Sequence, residues 1–246
     1  MQDCKISSTP FDNTPATISN DTSNNLVDKN WYQSVIGSLL YLSTGTRPDI
    51  STAVGILARN VVNPTSQNVK SLKHLLRHLK GALNTLIEFN KTENTGIIAY
   101  SDSDWGGDTV DRKSTSGHII FINGCPVAWR SNKQQVIALS TVEAECIAGA
   151  ETASTIVWIR RLWKSLGNNI CTPTKLWMDN QGAIKLSENG QASRRTRHID
   201  IKYFFITSLI TTKQITIDYK PTNYNCADIM TKALDSTKFK THCEFI

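Results

Sequence analysis

Asp102 and Asp104 stand two residues apart where an apolar run ends, in Tyr100-Ser101-Asp102-Ser103-Asp104-Trp105 after Ile97-Ile98-Ala99. Side chains alternate along an extended strand, so Ile98, Tyr100, Asp102 and Asp104 share one face and two carboxylates sit where the strand leaves the core. Carboxylates gathered there repel one another, and a divalent cation or a bound substrate is what offsets the repulsion. The competing explanation is local: Asp often starts a turn, and a short Asp-x-Asp discriminates poorly. Three later acids carry the same double reading. Glu145 follows a helix start marked by Ser140 and Glu143 at capping-box spacing, which gives Glu143 a structural job and leaves Glu145 without one, except that an acid near a helix start favours the dipole. Asp179 ends the apolar strand Lys175-Leu176-Trp177-Met178, at the end of a strand where ligands of α/β sheets gather, though it could equally cap the helix that follows. Asp228 lies near the third position of a segment with Asn225 as its N-cap, another place for a helix-start acid.

The elements that must position these acids can be read in order. Residues 1–28, rich in Ser, Thr, Asn and Asp with Pro10 and Pro15, hold too little apolar surface to fold alone and read as an extended or disordered leader. Helical spacing of Val35, Leu39 and Leu42 predicts a first helix from Trp31. A second is expected over 49–62 and a third over 67–83, the last setting Val69, Leu72, Leu75 and Leu79 against Lys70, Lys73, Arg77 and Lys80. The period then changes. Residues 84–89, 96–103, 118–123 and 126–131 read as strands, with Asn123-Gly124 as a tight turn and an antiparallel meander as the simplest arrangement. A long helix begins at Ser140, and Ala148, Gly149 and Thr152 along it are small enough for close approach to a sheet or ligand. A strand at 175–179, a helix from Asn180, a helix over 199–210, a strand over 214–219 and a last helix from Asn225 complete the pattern.

At 246 residues and 39% hydrophobic, the chain can build one large or two modest domains. No run reaches the apolar length of a membrane span, so no membrane partner is expected, and the polar Met1-Gln2-Asp3-Cys4-Lys5 argues against a secretory signal and for an intracellular protein. Six cysteines without a Cys-x-x-Cys pair or a histidine at zinc spacing indicate neither a disulfide framework nor a zinc site. The net charge of +6 permits a polyanionic partner without requiring one; the basic runs at 70–80 and in Arg194-Arg195-Thr196-Arg197-His198 are, on composition alone, ordinary solvated faces.

Taken together the acids fall in a telling order, and here the sequence resembles the C-terminal part of the Pol polyprotein of copia-type LTR retrotransposons, the end of reverse transcriptase followed by ribonuclease H. The resemblance rests on Tyr100 to Trp105, Asp111-Arg112-Lys113-Ser114-Thr115-Ser116-Gly117, Ala138-Leu139-Ser140-Thr141-Val142-Glu143-Ala144-Glu145, Asp179-Asn180-Gln181, Arg197-His198-Ile199-Asp200-Ile201-Lys202-Tyr203 and Ala227-Asp228-Ile229-Met230-Thr231-Lys232. Upstream, Ile36-Gly37-Ser38-Leu39-Leu40-Tyr41-Leu42 and Thr46-Arg47-Pro48-Asp49-Ile50 belong to the same pattern.

The resemblance implies an α/β, ribonuclease H-like fold, a mixed five-stranded sheet flanked by helices and preceded by a small helical module. The corresponding domains are a leader at 1–28, a reverse-transcriptase connection-like module at 29–90, the ribonuclease H-like domain at 91–238 and a tail at 239–246. It further implies that Asp102, Glu145, Asp179 and Asp228 hold two Mg²⁺ ions, for which Mn²⁺ can substitute, to hydrolyse the RNA strand of an RNA–DNA hybrid. His198 falls where related enzymes carry a mobile proton-transfer histidine. Ser140, Asn180 and Gln181 are candidates to sense the 2′-hydroxyl, and Arg112, Lys113, Arg194, Arg195 and Arg197 to meet phosphates, in an intracellular setting such as a cytoplasmic particle or the nucleus. Two departures stand out: Phe204-Phe205 follows Tyr203 where His-Phe is expected, and no Tyr-x-Asp-Asp occurs, so a polymerase domain would come from another chain. The alternative is a non-catalytic remnant, inactive or host-adopted, that binds nucleic acid or protein.

Overall fold

The computed structural model describes residues 3–11, 27–89, 96–189 and 200–246, which cluster into two compact units, 1–87 with 233–245 and 88–232 with 246. In the first unit, α1 (Lys29–Gly45) starts where the Asp28 carboxylate accepts from the Trp31 amide, the side-chain cap that an orphan helix N–H requires. A 3-10 turn at Pro48–Ile50 leads into α2 (Ser51–Ala58). Helix α2 ends short of the expected residue 62, because two β-branched valines and then Asn63, restricted by Pro64, disfavour continuation. Helix α3 (Ser66–Gly81) opens on a reciprocal capping box between Thr65 and Asn68. Its apolar stripe, Leu72 and Leu75, closes a core with Tyr32, Ile36, Leu39, Ile50, Val54 and Leu57. Residues 3–11 form no helix or strand, and within this part of the leader Arg77 Nε donates to the Lys5 carbonyl at 2.7 Å.

Residues 84–89, expected as a strand, are irregular, with Leu86 and Phe89 exposed. Alternation alone does not make a strand: the next strand in sequence is already paired on both of its edges and offers no free backbone partner.

Among its described residues the second unit holds one five-stranded sheet in the order β3-β2-β1-β4-β5. Strands β1 (Ile97–Asp104), β2 (Thr115–Ile122) and β3 (Cys125–Lys133) form the antiparallel meander. The turn between β2 and β3 places Asn123 at φ 53° and Gly124 at φ 80°, the left-handed pair that Asn-Gly accommodates best. Helix α4 (Thr141–Ser165) then crosses to β4 (Thr174–Met178), which runs parallel to β1; α5 (Gln181–Asn189) and α6 (Asp200–Thr211) lead to β5 (Ile215–Tyr219), parallel to β4. This is the mixed five-stranded sheet flanked by helices that the resemblance implies.

The core explains the order. Ile97 and Ala99 of β1, Leu176 and Met178 of β4, and Ile215 and Ile217 of β5 meet Ala144, Ile147, Ala153 and Ile156 of α4 and Ile206 of α6. Gly149 lets α4 close down, since a Cβ there would lie 3.1 Å from Met178 Cε. The other face of the sheet receives the 3-10 segment Cys226–Met230, held by Asn225 Nδ2 donating to the Ser101 carbonyl at 2.9 Å. The segment from Asn225 is thus 3-10 rather than the expected α-helix.

The last helix, α7 (Ser236–Cys243), groups with the first unit. Asp235 caps it, and Phe239 lies edge-on to the His78 ring of α3 at 5.4 Å. His242 is buried as well, and these two residues give a largely polar stretch an inner face.

Candidate active site

Parallel pairing of β1 with β4 brings their carboxyl ends together, and with them Asp102 and Asp179. Helix α4 begins at the same end of the sheet. Its N-cap Ser140 accepts from the Glu143 amide, and Glu143 Oε2 accepts from the Leu139 amide, so Glu143 is spent on the helix start. Glu145, one strand-facing step further, reaches β1, where Ser103 donates to its Oε1 through both backbone N–H (3.0 Å) and hydroxyl (2.8 Å). Ligand oxygens of Asp102, Glu145 and Asp179 all lie within 4.8 Å of one another. Asp104, which shares the strand face with Asp102, is not in this group.

Each acid is held from outside the group. Thr222 donates to Asp179 Oδ2 at 2.7 Å, and the Thr231 hydroxyl donates to Asp102 Oδ2. Asp228 is 2% exposed and accepts from Lys232 Nζ at 2.9 Å, and the same ammonium lies 3.9 Å from Asp102 Oδ2. It lies outside the group of three and is linked to Asp102 by the lysine they share. Gly117, opposite Asp102 in the β1–β2 register, makes this possible: a Cβ there would fall 2.5 Å from Met230 Cβ, so only glycine lets the segment bearing Asp228 lie on the sheet.

Burial and mutual repulsion shape the electrostatics. Burial pushes the Asp102 carboxyl up to about 6, with Asp228 adding to the rise and Lys232 opposing it. Glu145 stands well above its ordinary range because it is buried and faces Asp102 and Asp179. Asp179 and Asp228 are raised as well, burial again leading. Burial alone would lower the Lys232 ammonium, but Asp102 and Asp228 outweigh it and the net shift is upward.

A divalent cation fits this donor set. Among the described residues Glu145 Oε2 is buried and has no hydrogen-bond partner, and a buried carboxylate oxygen left unpaired is costly unless something positive meets it. An all-oxygen group of carboxylates suits a hard cation such as Mg²⁺.

The remaining sequence candidates divide three ways. Ser140 and Asn180 act as caps, Asn180 Oδ1 accepting from the Ala183 amide at 3.0 Å, while Gln181 is exposed. Arg112 is exposed in a left-handed conformation (φ 58°), in a loop with Lys113 that Lys133 braces through Asp108 at 2.6 Å and Asp111 at 2.9 Å. Arg194, Arg195, Arg197 and His198 lie outside the described residues. Phe204, where histidine was expected, is 57% exposed on α6. Sequence reasoning assigned no role to Ser103, Thr222, Thr231 or Lys232. Thr231 and Lys232 did carry a signal, since both belong to the motif that ends in them.

No protein-family model matches the chain. It is 35% identical over 215 residues to the retrovirus-related Pol polyprotein from transposon TNT 1-94 of Nicotiana tabacum, and 37% identical over 215 residues to that from transposon RE1 of Arabidopsis thaliana; each match covers 87% of this chain. The chain spans only 16% and 15% of those two polyproteins. A protein named secreted RxLR effector protein 161, from Plasmopara viticola, is 39% identical over 128 residues, 52% of this chain and 90% of its own length. Among solved structures, an N-terminal RNase H domain from Mycobacterium tuberculosis aligns with TM-score 0.41 at 13% identity, over 61% of this chain and 98% of that one.

Proposed function

We propose, because this chain belongs to the Pol polyproteins of copia-type retrotransposons, that its second unit is a ribonuclease H that hydrolyses the RNA strand of RNA–DNA hybrids. The observation that carries the reading is the convergence of Asp102, Glu145 and Asp179 from two strand ends and a helix start, with a buried oxygen of Glu145 that has no partner among the described residues. Asp102, Glu145 and Asp179 would hold one divalent ion, and Asp228 with Asp102 would complete the set for a second. When bound, a pair of Mg²⁺ ions supplies an activated water and stabilises the leaving oxygen of the phosphodiester.

The protein's own contribution is preorganisation. Ser103 fixes one oxygen of Glu145 and so aims the other; Thr222 and Thr231 orient Asp179 and Asp102; the packed sheet keeps the carboxylates together despite their repulsion. Arg112 and Lys113, with Arg194, Arg195 and Arg197, are proposed to meet phosphates. Ser140, Asn180 and Gln181 are proposed to lie along the RNA strand, and His198 to move a proton. The helical unit is read as the end of a reverse transcriptase, whose polymerase part another chain would supply, acting in a cytoplasmic particle or the nucleus.

A second reading, a binding module without catalysis, draws support from Phe204 in place of histidine. Cleavage of a labelled RNA–DNA hybrid with Mg²⁺, beside RNA–RNA and DNA–DNA duplexes and an Asp102→Asn control, separates the two. Hybrid-specific cutting that the variant loses is the expected result. A folded protein that binds the hybrid and cuts it with neither Mg²⁺ nor Mn²⁺ would replace the enzyme with the binding module.

A further inference from the structure

The acid pocket contains a cation of its own. Lys232 Nζ stands 2.9 Å from Asp228 Oδ1 and 3.9 Å from Asp102 Oδ2, and both carboxylate side chains are 2% exposed. The lysine side chain itself keeps 36% exposure, so the ammonium that meets these buried acids belongs to a side chain still open to solvent. Asp228 and Lys232 are four residues apart, and Thr231 between them turns its hydroxyl onto the same Asp102 oxygen that Lys232 approaches.

An ordinary i,i+4 ion pair on a surface contributes little. This one differs because its acids are buried and are the same groups a divalent ion would need. The ammonium and a divalent ion both require the Asp228 oxygen, and they cannot hold it together without bringing two positive charges into one small space.

We infer that Lys232 is the resident counter-cation of the site, filling the place beside Asp228 and Asp102 in the metal-free protein and yielding it to a divalent ion by swinging out toward solvent. The inference rests on the hydrolase reading above. It makes Lys232 a positioning residue: it acts through the two carboxylates, keeping them together and folded before metal arrives and setting how much metal is needed to load the site.

The test is made on the full chain without substrate. Mn²⁺ binding is measured by titration calorimetry, and the thermal midpoint is read in EDTA, for wild type, Lys232→Met and Lys232→Gln. Methionine keeps most of the stem without the charge, and glutamine keeps a hydrogen-bond donor without the charge, so a folding failure in one leaves the question with the other. Loss of a charge-assisted hydrogen bond as competitor should tighten Mn²⁺ binding about tenfold. The midpoint in EDTA should fall in both variants, and Mn²⁺ should recover it. Unchanged or weaker Mn²⁺ binding, or an unchanged midpoint in EDTA, overturns the inference and leaves Lys232 a plain ion pair or a substrate contact. If folded wild type takes up no Mn²⁺, the hydrolase reading fails and takes the inference with it. Wild-type uptake with variants that match it sinks the inference alone.

Discussion

Replacing Asp102 with asparagine should stabilise the metal-free protein at neutral pH. Asp102 is held at about 6 in the fold against 3.8 for a free aspartate, a rise caused by burial first and by Asp228 second. An acid raised in this way binds more protons folded than unfolded between those two values, so its favourable share is present below pH 3.8 and is lost as pH rises through 6. Roughly two pH units at ~1.4 kcal/mol each make the ionised Asp102 cost about 3 kcal/mol at pH 7.5. The asparagine side chain would keep the shape and an acceptor for Thr231 without the charge. Other carboxylates pull the opposite way: Asp108 is lowered to about 2 despite burial, by Lys133 and two backbone amides, and Asp49 is lowered by Arg47 and His78. The informative quantity is therefore the difference between wild type and Asp102→Asn as a function of pH, in which those groups cancel. Tryptophan fluorescence follows the right unit, because five of the six tryptophans lie within 88–232. In EDTA the midpoint of the variant should exceed that of wild type by up to about 10 °C at pH 7.5, shrinking toward zero near pH 4. Mg²⁺ should raise the wild type at pH 7.5 and leave the variant nearly unmoved. A variant less stable than wild type in EDTA at pH 7.5 would refute the claim that the cluster is strained without metal.

Gly117→Ala should cost about 1–3 kcal/mol, because the added Cβ meets Met230 Cβ at 2.5 Å and Thr231 Cγ2 at 2.7 Å. The segment carrying Asp228 must shift, and hybrid cleavage should fall about 100-fold; wild-type activity and midpoint together would contradict the placement of that segment. His118, 4% exposed on β2, is lowered to about 4 by burial, with Arg130 adding to it, so an NMR titration should show a midpoint near that value rather than 6.5. The unfolded chain takes up the proton that the folded strand refuses. This residue therefore withdraws about 3 kcal/mol as pH falls from 6.5 to 4, and a midpoint near 6.5 would remove that contribution.

What was legible in the sequence follows from how far each feature reaches. Caps and alternation act over a few residues, so Ser140 as N-cap, Asn123-Gly124 as turn and Asp102 at a strand end could be read locally. The same local rule failed at 84–89, where alternation had no partner strand to act on, and at 236–243, where a short polar helix shows its buried face only through Phe239 and His242. Convergence of Asp102, Glu145 and Asp179 depends on parallel pairing between β1 and β4, strands far apart in the chain, and no local pattern states that pairing. Only the order of separated motifs pointed to it.

Lys232 marks the furthest limit. The acids are visible because repulsion between buried carboxylates demands an explanation wherever they gather. A single lysine demands none in sequence, since most lysines are solvated. It becomes informative only when the chain places its ammonium 2.9 Å from one buried acid and 3.9 Å from another. Its role is then set by competition: whatever stabilises the metal-free cluster must also be displaced to load it. A site that keeps its own cation trades metal affinity for a fold that stands without metal, and measuring both in Lys232→Met tests the two sides of that exchange in one protein.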